Sequence, residues 1–266
     1  MAKYKKKRAR ELQHDRFRDT TMQFFDRLGD RLEGRGLTIL YGLGGLLVAA
    51  VLVVGFVKWN NRKNDEARQA LGHAITISKA QIAPAPVAGS TELTFTSEKE
   101  RAQRAIEVFE KVAAKYGDPY KASSRYFIAT NRLILDRPKA MSELAELGNS
   151  GDAEIAPLAK FALAQAQESD GKLQEAAQLY SDLAKLNSAI VTPETANLRL
   201  AKVYEKLGKK KEASDLLFNI VDASRKAKAA DKTLPTSSAA REAAEQLQKL
   251  DPDRYAQLPP ENISLG

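Results

Sequence analysis

Hydrophobic positions along this chain follow three rules. From Leu37 to Val57 they are nearly continuous: LTILYGLGGLLVAAVLVVGFV holds no charged residue. From Asn61 onward they recur every three or four positions, the period of helices with one buried face, in segments broken by short turns. Between Gln81 and Ser97 neither pattern holds. IAPAPVAGSTELTFT is rich in Pro, Gly and Thr and predicts a long loop over 81–97.

The continuous run is 21 residues, which as a helix spans about 31 Å at ~1.5 Å per residue, close to the ~30 Å hydrocarbon core of a bilayer. A signal-peptide core is shorter and ends in a small-x-small cleavage site, whereas this run leads into Lys58-Trp59-Asn60-Asn61-Arg62-Lys63. It lacks the polar stripe of a buried soluble helix. The reading is an uncleaved transmembrane helix over 37–58, with Trp59 at headgroup depth. Gly45 and Ala49 form a small-xxx-small pair, which reads either as a contact for another transmembrane helix or as ordinary glycine usage in such spans.

Residues 1–36 form a basic arm with eleven lysines and arginines against six acids. Lys and Arg near the two ends of the run are almost balanced, and the cluster Lys3–Arg10 decides for a cytoplasmic N-terminus. Thr21, Phe24, Phe25, Leu28 and Leu32 recur at helical spacing among arginines. That is the pattern of an amphipathic helix on an anionic leaflet, or of a docking helix for a cytoplasmic partner.

Beyond the anchor the chain repeats itself. Ala105, Ala140, Ala176 and Ala213 are separated by 35, 36 and 37 residues, and each is followed four positions later by a bulky side chain: Phe109, Leu144, Tyr180 and Leu217. A small residue and a large one, one turn apart on the same face, let two helices approach and then interlock. Asp118-Pro119 and Thr192-Pro193 read as helix starts, and Ser97-x-x-Glu100 as a capping box. Gly117, Gly171 and Gly208 suit helix ends. These signals give a repeat domain over 59–236, a capping helix over 237–250 and a tail over 251–266.

Two windows, LAKFALAQAQESDGKLQEAAQLYSDL and ANLRLAKVYEKLGKKKEASDLLFNIV, resemble tetratricopeptide repeats. Leu163-Ala164 and Leu200-Ala201 stand at the leucine-small pair of helix A, with Gly171 and Gly208 at the turn and Ala176/Tyr180 and Ala213/Leu217 on helix B. Gln167 replaces an aromatic in the first window, and both lack the family's tryptophan and closing proline. The resemblance implies an all-α fold: one N-terminal transmembrane helix, then an α-solenoid of tetratricopeptide-like helical hairpins. It also implies a groove lined by helix A side chains, here Phe161, Gln165, Glu168, Leu198, Lys202 and Glu205, with Arg125 and Arg132 from the preceding repeat.

Basic arm, anchor, juxtamembrane Asp65-Glu66-Ala67-Arg68 and degenerate repeats together look like the YfgM-like family. These are bacterial ancillary subunits of the SecYEG translocon with a periplasmic repeat domain. The resemblance implies a single-pass inner-membrane protein with its C-terminal domain in the periplasm. Its implied partners are the translocon, exported clients or envelope chaperones. The longer arm, the 81–97 loop and the C-terminal extension depart from the family.

Composition narrows the function further. The net charge of +8 resides mostly in the arm, since the remaining residues hold 31 bases and 28 acids, so nucleic-acid binding by the body is not implied. Cysteine is absent, which leaves the redox compartment open. His14 and His73 have no histidine partner at ligand spacing. No phosphate loop, nucleophile elbow or metal motif is present. The expectation is a non-enzymatic protein-interaction scaffold with no cofactor, metal or small-molecule substrate. The alternative is an accessory structural subunit held in a larger membrane complex by its transmembrane helix.

Overall fold

The computed structural model describes residues 36–83, 93–231 and 233–260, with backbone only for 36–49. The basic arm, including Phe24 and Phe25, lies outside the described residues, as do the side chains of Gly45 and Ala49. The chain divides into two compact units, Met1–Asp65 and Glu66–Gly266.

Helix α1 (Gly36–Ser78) contains the whole apolar run in its N-terminal half. Among the described residues no helix is long and apolar enough to cross a membrane. The described part of the run is nevertheless exposed in an unusual way. Val51, Leu52, Val53, Val54, Phe56 and Val57 are each between 48% and 67% exposed. At 100° per residue such a succession covers the full circumference of the helix.

The second unit is a sequence of helical hairpins. The last turns of α1 bury Ala67, Ala74 and Ile77, and α2 (Glu98–Lys115) returns against them. The following hairpins are α3 (Tyr120–Arg132) with α4 (Arg137–Gly148), α5 (Ile155–Ser169) with α6 (Leu173–Lys185), and α7 (Pro193–Lys206) with α8 (Lys210–Ala230). Then come α9 (Ser238–Leu250) and the short α10 (Pro252–Ala256).

The alanine ladder is the interior seam of this stack. Ala105, Ala140, Ala176 and Ala213 are completely buried, and so are Phe109, Leu144 and Tyr180, with Leu217 at 1%. Each core segment shares helices with the next: Ala164 of α5 joins Tyr180, Leu183 and Leu200, while Leu198 and Ala201 of α7 join Leu217 and Leu247. Helix A of the second hairpin also becomes identifiable. An offset of 35 residues carries Leu163-Ala164 back onto Ile128-Ala129, both buried.

Helix ends follow their local chemistry. The Ser97 and Thr192 hydroxyl oxygens accept from the amides of Glu100 and Thr195. Asp118 Oδ1 accepts from the Ala122 amide at 3.1 Å. Gly171 and Gly208 have φ near +75° and close paired bonds, Lys172 N to Gln167 O and Lys209 N to Tyr204 O. A left-handed glycine there satisfies the last free carbonyls of the helix. Gly117 plays no such part, because α2 ends at Tyr116 in extended backbone.

Two regions differ from the sequence-based expectation. The 81–97 segment is not simply a loop: Gln81–Ile82 (β1) pairs in parallel with Thr94–Phe95 (β2). Phe95 is buried against Ile106 and Phe109, and Ala83 N donates to Phe95 O, so the ends of the connection are clamped to the first hairpin. The expected tail over 251–266 is packed as far as it is described. Asp251 accepts from the Ser214 hydroxyl at 2.8 Å, Arg254 lies over the Phe218 ring and Leu258 is buried. Pro252 opens α10 at a first-turn position, with Asp251 as its cap.

Replacing Ala176 by leucine is expected to cost about 1–3 kcal/mol through overpacking, read as a lower Tm by circular dichroism of the full chain. Asp251 has its carboxyl held below the usual carboxylate range, first by the Arg254 amide and then by the Ser214 hydroxyl. A depressed folded-state pKa contributes stability that is present above the ordinary carboxylate range and is lost as pH falls from there through the lowered folded-state pKa. Acid unfolding should therefore separate wild type from Asp251→Asn near neutrality, and the two curves should converge as pH drops.

Candidate protein-binding surface

The residues expected to line one groove fall into three environments. Phe161, Gln165 and Glu168 lie along α5, and Lys202 and Glu205 along α7. Gln165 and Glu205 are exposed. Phe161 is half-buried, its ring edge-on to Tyr180 at 5.7 Å between centroids. Leu198 does not line a groove, because it is 5% exposed and packed in the core that α7 shares with α8 and α9.

Arg125 and Arg132 lie elsewhere. Arg125 pairs with Glu146 of α4 at 2.7 Å, while Arg132 pairs with Glu143 of α4 and reaches Glu110 of α2 at 3.5 Å. With Ile128 and Leu147 these five charged residues line a separate cavity of about 280 Å³. The reason is a one-residue register difference. Stepping back 35 residues from Phe161, Gln165 and Glu168 reaches Tyr126, Thr130 and Leu133. A shift of one position turns a helical side chain by ~100°.

Charges on the α5 and α7 faces are largely engaged between repeats. Glu168 accepts from the Tyr180 hydroxyl at 3.2 Å and pairs with Lys206 of the next helix A. Lys202 in turn pairs with Glu242 of α9. Burial, followed by the neighbouring Glu168 charge, pushes the Tyr180 phenol above its ordinary value. Its proton therefore stays in place to donate to Glu168. Of the six residues on these two helices, Gln165 and Glu205 are left exposed, and Phe161 half-buried. Helical spacing places Glu168 and Lys202 on these helices, but does not reveal that they pair with Lys206 and Glu242.

Among the described residues no three acidic or histidine side chains converge as a metal-holding cluster.

Tyr180→Phe should lower stability by about 1.5–3 kcal/mol, the usual contribution of a hydrogen bond to a charged carboxylate. Tyr180→Ala should cost about 3–5 kcal/mol by also opening a cavity. Urea unfolding of both variants checks the ratio.

No family model matches the chain, and no curated protein matches it. Among solved structures, the chain is similar to a Podosopora anserina protein described as a kinesin light chain with nearly identical TPR-like repeats. Identity is 18% over 70% of this chain and 85% of that one, with a TM-score of 0.47. A single-substitution variant of that protein gives the same identity and score over 84% of its length.

Proposed function

We propose that this chain is a membrane-anchored protein-interaction scaffold, with Leu37–Val57 as its anchor and the helical hairpins as its binding body. One observation carries the anchor: Val51 to Val57 expose apolar side chains around the entire helix. In water each such side chain would forgo a transfer free energy of ~1.5–3 kcal/mol, whereas lipid supplies an apolar partner on every side. The run then ends in an interfacial set. Trp59 contacts Phe56, and the Lys63 ammonium lies 3.9 Å from the Trp59 ring centroid. An amphipathic indole next to exposed cations fits the headgroup zone.

On this reading residues 1–36 stay in the cytoplasm and the repeats stand in the periplasm of a bacterial inner-membrane protein. The resemblance to YfgM-like proteins favours a position beside the translocon, where exported chains or envelope chaperones are its partners. Stacked helix A faces that expose Gln165 and Glu205, with Phe161 half-buried on α5, favour extended, weakly specific contacts with protein segments.

Two measurements test the two halves of the proposal. Alkaline carbonate should leave the full chain in the membrane fraction, and a tag after Gly266 should become protease-sensitive once the outer membrane is opened osmotically. A photocrosslinker at Gln165 or Glu205, both exposed, should capture envelope proteins in vivo. Capture from Arg104 on α2 with none from these two positions would move the binding surface elsewhere.

A further inference from the structure

The C-terminal end of the stack carries a cavity whose charged lining residues are mostly cationic. Helix α8 runs for 21 residues against 13 for α6, and it packs against α9 while Arg225 of its last turns contacts Tyr255 of α10. Between them is a cavity of about 220 Å³ with an apolar floor of Val221, Ala240 and Ala244. Three cations from two helices surround it: Arg225 and Lys228 of α8, and Arg241 of α9, against the single acid Glu245. Arg225 is held in place by donating to Pro259 O and, at 3.2 Å, to the Tyr255 hydroxyl. Lys226 is neutralised locally by Asp222 at 2.7 Å, and Glu242 of α9 is engaged by Lys202. Among the described residues neither Lys228 nor Arg241 has an acidic partner within ion-pair distance.

We infer that this cavity binds an acidic side chain of a protein segment, with a neighbouring apolar residue on the Val221–Ala244 floor. Three features favour this occupant. The cavity's volume suits one or two side chains, its positive charge is local, and its floor is apolar. Nucleic acid calls for a continuous basic stripe, and the residues after the arm are almost charge-balanced. The Ser224 and Thr236 hydroxyls on the rim add neutral hydrogen-bonding groups beside the cations. A fixed guanidinium with two further cations around it lowers the ordering cost of binding a carboxylate. The inference rests on the scaffold reading and names the chemistry of one class of its clients.

The test uses the detergent-solubilised full chain and a short fluorescent peptide alternating glutamate with leucine. Anisotropy should show binding that weakens at least about tenfold in Lys228→Glu/Arg241→Glu, as expected when two cations facing a carboxylate are reversed. The glutamine analogue of the peptide should bind as weakly to wild type as the glutamate peptide does to that variant. Lys228→Gln/Arg241→Gln gives an intermediate loss and decides the matter if charge reversal lowers helix content. Equal binding by wild type and both variants, or by glutamate and glutamine peptides, overturns the inference. So does displacement of the peptide by glycerol phosphate at lower concentrations than by unlabelled peptide, which would mark a phosphate site. Failure here leaves photocapture from Gln165 and Glu205 untouched, so the two proposals fail separately.

Discussion

The contact on which the second unit depends is an alanine with no exposed surface followed, one turn later, by a side chain that fills the space the alanine opened. At Ala105, Ala140, Ala176 and Ala213 the absence of side chain beyond Cβ lets the neighbouring helix come close. Phe109, Leu144, Tyr180 and Leu217 then close the gap. Dispersion at that range is small per atom pair and large in sum. Because every hairpin offers the same seam to the next, the core is a chain of overlapping clusters rather than one centre. Stability in such a stack is set mainly by nearest neighbours.

An array of this kind has two ends to cover. At the C-terminal end α9 places Ala243 and Leu247 on α8, and the residues beyond Leu250 fold back through Asp251, Arg254 and Leu258. At the other end the first hairpin is completed by a two-residue strand pair and by Arg101 Nη1 donating to Ala80 O at 3.1 Å. Both devices cover apolar surface with chain that contributes its own buried side chains, Phe95 at one end and Ala243, Leu247 and Leu258 at the other. At the C-terminal end the same cover forms the cationic cavity.

Cross-repeat ion pairs determine which surface stays free. Exposed pairs contribute little to stability, about 0–1 kcal/mol each. Their larger consequence is to engage charges that would otherwise stand free on the helix A faces. Glu168 and Lys202 sit on helix A faces yet are bound to Lys206 and Glu242, whereas Gln165 and Glu205 are exposed. The exposed polar groups of these faces are therefore those left over after the repeats have paired with one another.

The helical periods, small–large pairs, caps and turn glycines, together with the apolar stretch from Leu37 to Val57, were determined by the sequence itself. Each is a relation among residues within a few positions, where backbone geometry alone decides who faces whom. Tertiary structure decided the rest: that Ile128-Ala129 sets the register of α3 and turns Arg125 and Arg132 toward α4, and that α8 and α9 bury Leu198. It also decided that β1 finds β2, and that residues after Leu250 pack onto α8. These outcomes depend on contacts between residues well apart in sequence. There a one-residue slip rotates a side chain by about 100° and sends it to another face.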